Sequence, residues 1–384
     1  MQELILVNFQ SPGDLVTLTA AVRDLHTCYP KQFITDVRTG SPELWEQNPY
    51  VTPLDVNDPE VRVLECHYPL IQFSNQRPVH FLHGFIEYLN DLLGLQIKLT
   101  QFRGDIRLAD AEKAMPSLVE QITGLAVPYW IIVAGGKFDY TIKWWHFRRW
   151  QAVVDRFRGK ILFVQVGEKH HYDPVLNGAL DLRGKTSLRE LIRLVYHAQG
   201  VLCPVTLVMH LAAAVESKPG GSPNRPCVVV AGGREAPSWE AYPTHQFIHT
   251  IGRLPCCAEG GCWRSRSVPL GDGDEKDQPH HLCVDVVKNL PRCMHLISPE
   301  RVGQAIGLFL EKSPLRYLSP REAADIRRFL FHRTDPARGQ ELGHAQPSIS
   351  DCLQAKRNNN PKNKGKHYGT YNIITYTRPS PTEV

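Results

Sequence analysis

The sequence has no uninterrupted apolar run of about 18 residues, which excludes an ordinary transmembrane helix. Its opening, Met1-Gln2-Glu3, carries no basic n-region, and no small-residue cleavage site follows. We therefore expect no secretory signal peptide, and a reducing bacterial cytosol with at most peripheral contact with the inner membrane. Net charge is also scarce, at +5 over 384 residues. Much of the excess sits in one run, "KRNNNPKNKGK" (356–366), so the body is near neutral. That argues against a nucleic-acid-binding fold, and the run itself, short and without interleaved aromatics, reads as a solvated tail. The chain has ten cysteines but lacks the paired C-x-x-C spacing of a zinc ribbon. In a reducing compartment such thiols are expected to be free or to ligate metal, not to form disulfides.

What is present is alternation. A chain of 384 residues exceeds one ordinary core, so two domains are expected. "ELILVNF", "FITDVRT" and "VRVLECHY" read as strands. Between and after them come a helix over 15–25, a short helix in "SPELWEQNP" and a longer one in "VHFLHGFIEYLNDLLG". A second series begins near residue 125. "YWIIVAGG", "KILFVQVG", "GVLCPV" and "PCVVVAGG" are strands, and "WHFRRWQAVVDRF", "TSLRELIRLVYHAQ" and "LVMHLAAAVES" are helices. Strand, crossover, strand is the pattern of a parallel α/β sheet. We expect a first α/β domain over 1–125 and a second over 126–315. The second includes a Cys-rich insertion at 252–295, in which "DGDEKDQPHH" is a solvent loop. A C-terminal helix over 316–333 and a polar, basic tail over 334–384 follow, the tail holding one strand-like stretch, "YNIITYT".

Several turns carry chemistry-bearing residues. Ser11-Pro12-Gly13-Asp14 joins the first strand to its helix, and an acid there either caps the helix or faces a ligand. Lys137 follows a Gly pair at a strand end, and Lys143 precedes a helix; either is a phosphate-binding candidate or a solvated lysine. "DLRGKTSLREL" (181–191) places a glycine turn before a helix capped by Thr186 or Ser187, with Glu190 completing a capping box. The helix beginning at Thr206, Leu207 and Val208 offers free amides to an anion. Gly232-Gly233-Arg234-Glu235 ends a strand and reads either as a ligand-gripping turn or as an exposed ion pair. His210 reads as a packed helix residue. Cys262, Cys283, Cys293 and Cys257, with Cys256 as the alternative fourth, form a candidate tetrahedral thiolate site for iron or zinc. His280, His281 and His295 are nearby substitutes. With all four positions filled, such a metal would be structural.

"LVNFQSPGDLVTLTAAVRDLHTCYP", "GSPELWEQNPYV", "AGGKFDYTIKWWHFRRWQAVVDRF", "ALDLRGKTSLRELIRLVYHAQGVL" and "MHLAAAV…PCVVVAGGRE" together resemble glycosyltransferase family nine, the ADP-heptose lipopolysaccharide heptosyltransferases. The resemblance spans roughly residues 3 to 315. It implies a GT-B fold: two Rossmann-like, doubly wound domains facing a cleft, acceptor on the first and nucleotide-sugar donor on the second. It implies that Asp14 is the base, with Ser11 and Gly13 in the acceptor turn. It further implies that Lys143, followed by Trp144, neutralises the donor diphosphate, and that the 181–191 loop lies by base and ribose. One stretch departs from the family. Where D-T-G-P-M-H is usual, this chain has Val205-Thr206-Leu207-Val208-Met209-His210, so the acid and the glycine are missing. A branch of the family that glycosylates autotransporter proteins is similar in carrying a cysteine-bound iron.

The expectation is an inverting glycosyltransferase that moves a heptose or related sugar from a nucleotide diphosphate, ADP-heptose favoured, to a saccharide or protein hydroxyl. No divalent metal is needed for catalysis if lysine and helix dipole carry the charge. A homo-oligomer is compatible with this reading. The alternative keeps the fold and drops the reaction, giving a nucleotide-sugar or carbohydrate-binding protein.

Overall fold

The structure, a computed structural model, describes residues 1–333 apart from Pro223 and Ser313. The 356–366 run, the "YNIITYT" stretch and Cys352 lie outside the described residues.

The first sheet is parallel, with order β2-β1-β3, from β1 (Gln2–Asn8), β2 (Phe33–Thr39) and β3 (Val61–Glu65). Leu4, Ile5 and Leu6 are fully buried, as befits a central strand covered on both faces. Helix α1 runs Pro12–Cys28 and so starts before the expected Leu15, because Ser11 takes the N-cap and Pro12 suits the first helical position. "SPELWEQNP" forms only a 3₁₀ turn, Pro42–Trp45. Helix α2 (Phe81–Leu93) ends at Gly94 in the left-handed region, φ 66°. Two short helices, α3 (Asp110–Ala114) and α4 (Leu118–Thr123), complete the connection.

The second sheet is parallel and six-stranded, in the order β6-β5-β4-β7-β8-β9. Its strands are β4 (Tyr129–Ile132), β5 (Leu162–Gln165), β6 (Leu180–Asp181), β7 (Gly200–Pro204), β8 (Cys227–Gly232) and β9 (His245–His249). The order reverses between β4 and β7, the arrangement of a dinucleotide-binding sheet with its crevice at the switch point. Helices α5 (Phe147–Arg156), α6 (Leu188–His197), α7 (Leu207–Ala214) and α8 (Pro237–Glu240) make the connections. The sequence reading missed β6 and β9. β6 has two residues, and "HQFIH" is an edge strand with no apolar run.

The expectation of two equivalent doubly wound sheets needs correction. Among the described residues the first sheet has three strands, because after β3 the chain enters a 3₁₀ turn (Pro69–Phe73) and then only helices until β4. The halves also share one continuous buried cluster, reaching from Leu4 through Leu18 to Leu211 and Val229. Aromatics join them: Phe81 stacks on Trp239 at 5.0 Å, with Tyr68 beside both.

The Cys-rich segment folds largely around charge. Arg266 is fully buried and bonds Asp272 at 2.8 Å and Asp277 at 2.6 Å, so "DGDEKDQPHH" wraps this guanidinium and is not a plain solvent loop. A two-residue turn, Lys288-Asn289, with both residues at positive φ, links β10 (Val286–Val287) to β11 (Leu290–Pro291). Helices α9 (Arg292–His295), α10 (Pro299–Lys312) and α11 (Pro320–Arg333) end the described chain, and Leu318 and Ile326 return to the main core.

Candidate active site

A cavity of about 740 Å³ opens where β1, β4, β5, β7 and β8 end, and the turn at each carboxyl end lines it. Ser11, Gly13 and Asp14 form one wall. Asp14 is the third residue of α1, and its Oδ2 accepts the Ser11 N–H at 3.0 Å, the acidic half of a capping box. Burial pushes its carboxyl up to about 6, although the Ser11 bond and the charges of Lys143, Lys137 and Arg234 pull the other way. The cap geometry therefore coexists with a carboxyl that titrates near neutrality.

Lys137 and Lys143 both line the cavity. Lys137 Nζ donates to Ser11 Oγ at 2.7 Å and so ties the second sheet to the Asp14 turn. Lys143 Nζ lies 2.6 Å from Glu235 Oε1 and 3.5 Å from the Val205 carbonyl. Arg234 also bonds Glu235, and its guanidinium lies over the rings of Tyr140 and Trp263 at 4.9 and 5.3 Å. Glu235 is fully buried, so the reading of Arg234-Glu235 as an exposed ion pair fails. Burial alone would raise Glu235, but Arg234 and Lys143 more than offset it and hold the carboxyl below its ordinary value. Trp144 is buried and stacks on Tyr172 at 4.3 Å. This packing fixes the turn that carries Lys143. Gly135 lets it close, since a Cβ there would sit 1.6 Å from the Tyr172 carbonyl oxygen.

Thr206 is the N-cap of α7, and Thr206, Leu207 and Val208 line the cavity. Thr186 and Ser187 line it too, and Ser187 is the residue that caps α6, accepting the Glu190 N–H at 3.2 Å. His210 is buried, with Nδ1 2.9 Å from the Tyr242 hydroxyl, and burial pushes it down to about 3, as for a packed neutral ring. Gly233 is not on the cavity wall. It packs against the cysteines behind it, with its Cβ position 3.1 Å from Cys257 Sγ.

Among the lining acids that escaped the sequence reading, two are strongly desolvated. Asp173 is pushed up to about 8 by burial, which outweighs the Arg183 charge, and its Oδ1 has no hydrogen-bond partner. Glu240 is likewise buried and pushed up to about 8. "HYDPV" and "SWEAYP" contain no motif, and burial of an acid is a tertiary property.

The thiols of the Cys-rich segment converge without forming a ligand shell. Cys257 and Cys293 meet at Gly233, and burial, helped by Cys262, Cys283 and Cys257, pushes the Cys293 thiol up to about 12. Cys257 Sγ faces the Thr250 carbonyl at 3.5 Å and Cys283 Sγ the Asp285 carbonyl at 3.2 Å. Among the described residues no three His, Cys, Asp or Glu side chains are grouped so as to hold a metal ion. The expected four-thiolate site is therefore not assembled. Assembling one requires these thiols to leave their carbonyl partners.

Residues 80–219 match glycosyltransferase family 9 (heptosyltransferase). No curated protein matches the sequence. Among solved structures, a family 9 glycosyl transferase from Veillonella parvula is similar in fold at 13% identity, TM-score 0.55, covering 81% of this chain and 98% of that one. E. coli ADP-heptose lps heptosyltransferase II is similar at 14% identity, TM-score 0.54, covering 81% and 99%. The iron-containing dodecameric glycosyltransferase TibC of enterotoxigenic E. coli is similar at 19% identity, TM-score 0.54, covering 80% and 75%. Among the described residues no helix is long and apolar enough to cross a membrane. The chain thus carries a segment that matches glycosyltransferase family 9, on a fold similar to that of solved heptosyltransferases and with its cavity at the strand carboxyl ends.

Proposed function

We propose that the chain is an inverting glycosyltransferase that transfers a heptose from ADP-heptose to a hydroxyl of a saccharide or protein acceptor. The observation that carries this is the cavity's polarity. One wall presents a carboxyl that titrates near 6, and the same cavity holds Lys143, Arg234 and the amino end of α7. Asp14 takes the acceptor hydroxyl proton as the oxygen attacks the anomeric carbon. The bond from that carbon to the diphosphate breaks, and the nucleoside diphosphate leaves with the electron pair. Lys143 and the free amides at Leu207 and Val208 stabilise the charge that gathers there. Glu235, held ionised by Arg234 and Lys143, orients these cations and is available to a sugar hydroxyl. A single displacement inverts the anomeric centre.

The choice of donor is supported by two structural relatives, the E. coli ADP-heptose lps heptosyltransferase II and TibC, which was solved in complex with ADP-D-beta-D-heptose. TibC is iron-containing and dodecameric. We extend both features to this chain as part of the proposal: a structural iron or zinc on Cys257 (or Cys256), Cys262, Cys283 and Cys293, and a homo-oligomer. The approach of Cys257 and Cys293 to each other at Gly233 supports the metal. A thermal-shift screen of ADP, GDP, UDP and CDP and their sugars tests the donor. Selective stabilisation by ADP-heptose is expected, and stabilisation only by uridine or guanosine compounds would sink the assignment. Donor hydrolysis lost in Asp14→Ala with donor binding kept would separate an enzyme from a binding protein.

A further inference from the structure

Glu240, the last residue of α8, has no part in the reaction just described. It lines the cavity yet is only 6% exposed, and its Oε2 has no hydrogen-bond partner. His210 Nε2 is 3.6 Å from that oxygen, beyond hydrogen-bond reach, and its ring is neutral. Three cations of the cavity are committed elsewhere: Lys143 and Arg234 to Glu235, and Lys137 to Ser11. An ionised carboxylate left in this position would be buried without a partner, which is strongly disfavoured. The charged and titratable groups around it are Asp14 of α1, Tyr68 and His80 before α2, Lys143 before α5, His210 of α7, Arg234 and Glu235 after β8, and Tyr242 after α8. Burial, then Glu235 and Asp14, push Glu240 up to about 8, against Lys143 and Arg234. At neutral pH the group is therefore protonated, and its buried Oε2 is engaged in no hydrogen bond.

We propose that Glu240 is a further catalytic residue, whose carboxyl proton hydrogen-bonds a diphosphate oxygen of the bound donor and stabilises the charge that builds there as the sugar departs. This rests on reading the cavity as a nucleotide-sugar site. The donor diphosphate is the natural partner because its oxygens are anionic acceptors and its charge keeps Glu240 protonated. No proton has to be transferred, since the nucleoside diphosphate leaves as a stable anion. Asp14 and Glu240 thus divide the work by charge state: one must be ionised to accept a proton, the other must keep its proton to donate a bond.

The test is ADP binding by calorimetry to the wild-type full chain, Glu240→Gln and Glu240→Ala, between pH 6.5 and 9. Wild-type affinity should fall about tenfold or more as pH passes through about 8. Glu240→Gln, which keeps a neutral donor, should stay within about threefold of wild type at pH 6.5 and lack that fall, while Glu240→Ala should be about tenfold weaker. The ligand's own titration is common to all three and cancels. In turnover, the alkaline limb of kcat/KM should be present in wild type and absent in Glu240→Gln. Parallel pH profiles for wild type and Glu240→Gln would overturn the role. So would equal weakness of Gln and Ala variants that still melt cooperatively. If wild type binds no nucleoside diphosphate at any pH, the donor-site reading falls as well. If it binds but shows no excess pH dependence, only Glu240's role falls.

Discussion

Replacing Asp14 with asparagine separates a helix cap from a catalytic base. Asparagine keeps a side-chain oxygen for the Ser11 N–H, now accepted at 3.0 Å, and removes the charge. Burial lifts the carboxyl to about 6 from 3.8. A shift of about 2 units is about 3 kcal/mol of preference for the protonated form, which the residual solvent access of this side chain trims to about 1–2 kcal/mol. The folded state holds this proton more tightly than the unfolded chain does. The stability it contributes is therefore complete below the unfolded value of 3.8 and is lost as pH rises to about 6. At pH 7.5 wild type carries that cost and Asp14→Asn does not. The variant should thus be about 1–2 kcal/mol more stable in urea at pH 7.5, with the gain vanishing near pH 4. Its transfer rate should fall by about 10²- to 10⁴-fold. Tryptophan fluorescence reports the unfolding, and product formation from ADP-heptose the rate. A cap alone predicts the opposite, a loss of up to about 1 kcal/mol with activity kept. A variant that is less stable at pH 7.5, or that still turns over, would refute the reasoning.

The remaining expectations concern neighbours of that carboxyl. Wild-type kcat/KM should rise with pH through a midpoint near 6, and Lys143→Met should move that midpoint upward, because the Lys143 charge favours ionised Asp14. The same variant should weaken ADP binding by about tenfold, measured by calorimetry. Asp173→Asn should gain melting temperature relative to wild type as pH rises from about 4 to about 8, since burial raises the folded Asp173 carboxyl to about 8 and its ionisation above the unfolded value costs stability; equal shifts at pH 5 and 8.5 would contradict this. Gly13→Ala would put a Cβ 3.2 Å from His210 Cδ2, so a destabilisation of about 1–2 kcal/mol in urea is expected.

The sequence made most of the parallel strands legible because buried parallel strands are short apolar runs. "ELILVNF", "YWII" and "CVVV" announce themselves, and β9, half polar at the edge, does not. Asp14, Lys137, Lys143, Thr186 and Thr206 lie on strand-to-helix turns, which in such a sheet face one crevice, and it is the family resemblance that singles out Asp14 and Lys143 among them. Glu240 and Asp173 sit in the same cavity but reach it from α8 and from the loop before β6. Their significance is desolvation, which depends on what packs around them and leaves no local pattern. Arg266 makes the same point within the Cys-rich segment. Spacing suggested thiolate chemistry there, while the described fold is organised by a buried guanidinium among aspartates.

Three carboxyls in this cavity differ by environment alone. Glu235 meets two cations on one oxygen and stays ionised. Asp14 has one backbone N–H and only more distant cations, and titrates near 6. Glu240 has neither a hydrogen bond to Oε2 nor a cation of its own, and stays protonated to about 8. Acids whose surroundings separate their titration can take different roles in one reaction. The separation also bears on the acid missing at Val205. Lys143 Nζ reaches both the Val205 carbonyl, at 3.5 Å, and Glu235, at 2.6 Å, so the end of β8 supplies an anion close to where the α7 amino end lacks one. Moving an acid to position 205, as in Val205→Asp, would therefore place a second carboxylate against a lysine already engaged. The expected result is weaker diphosphate binding than in wild type. Tighter binding in that variant would mean that Glu235 does not stand in for the lost acid.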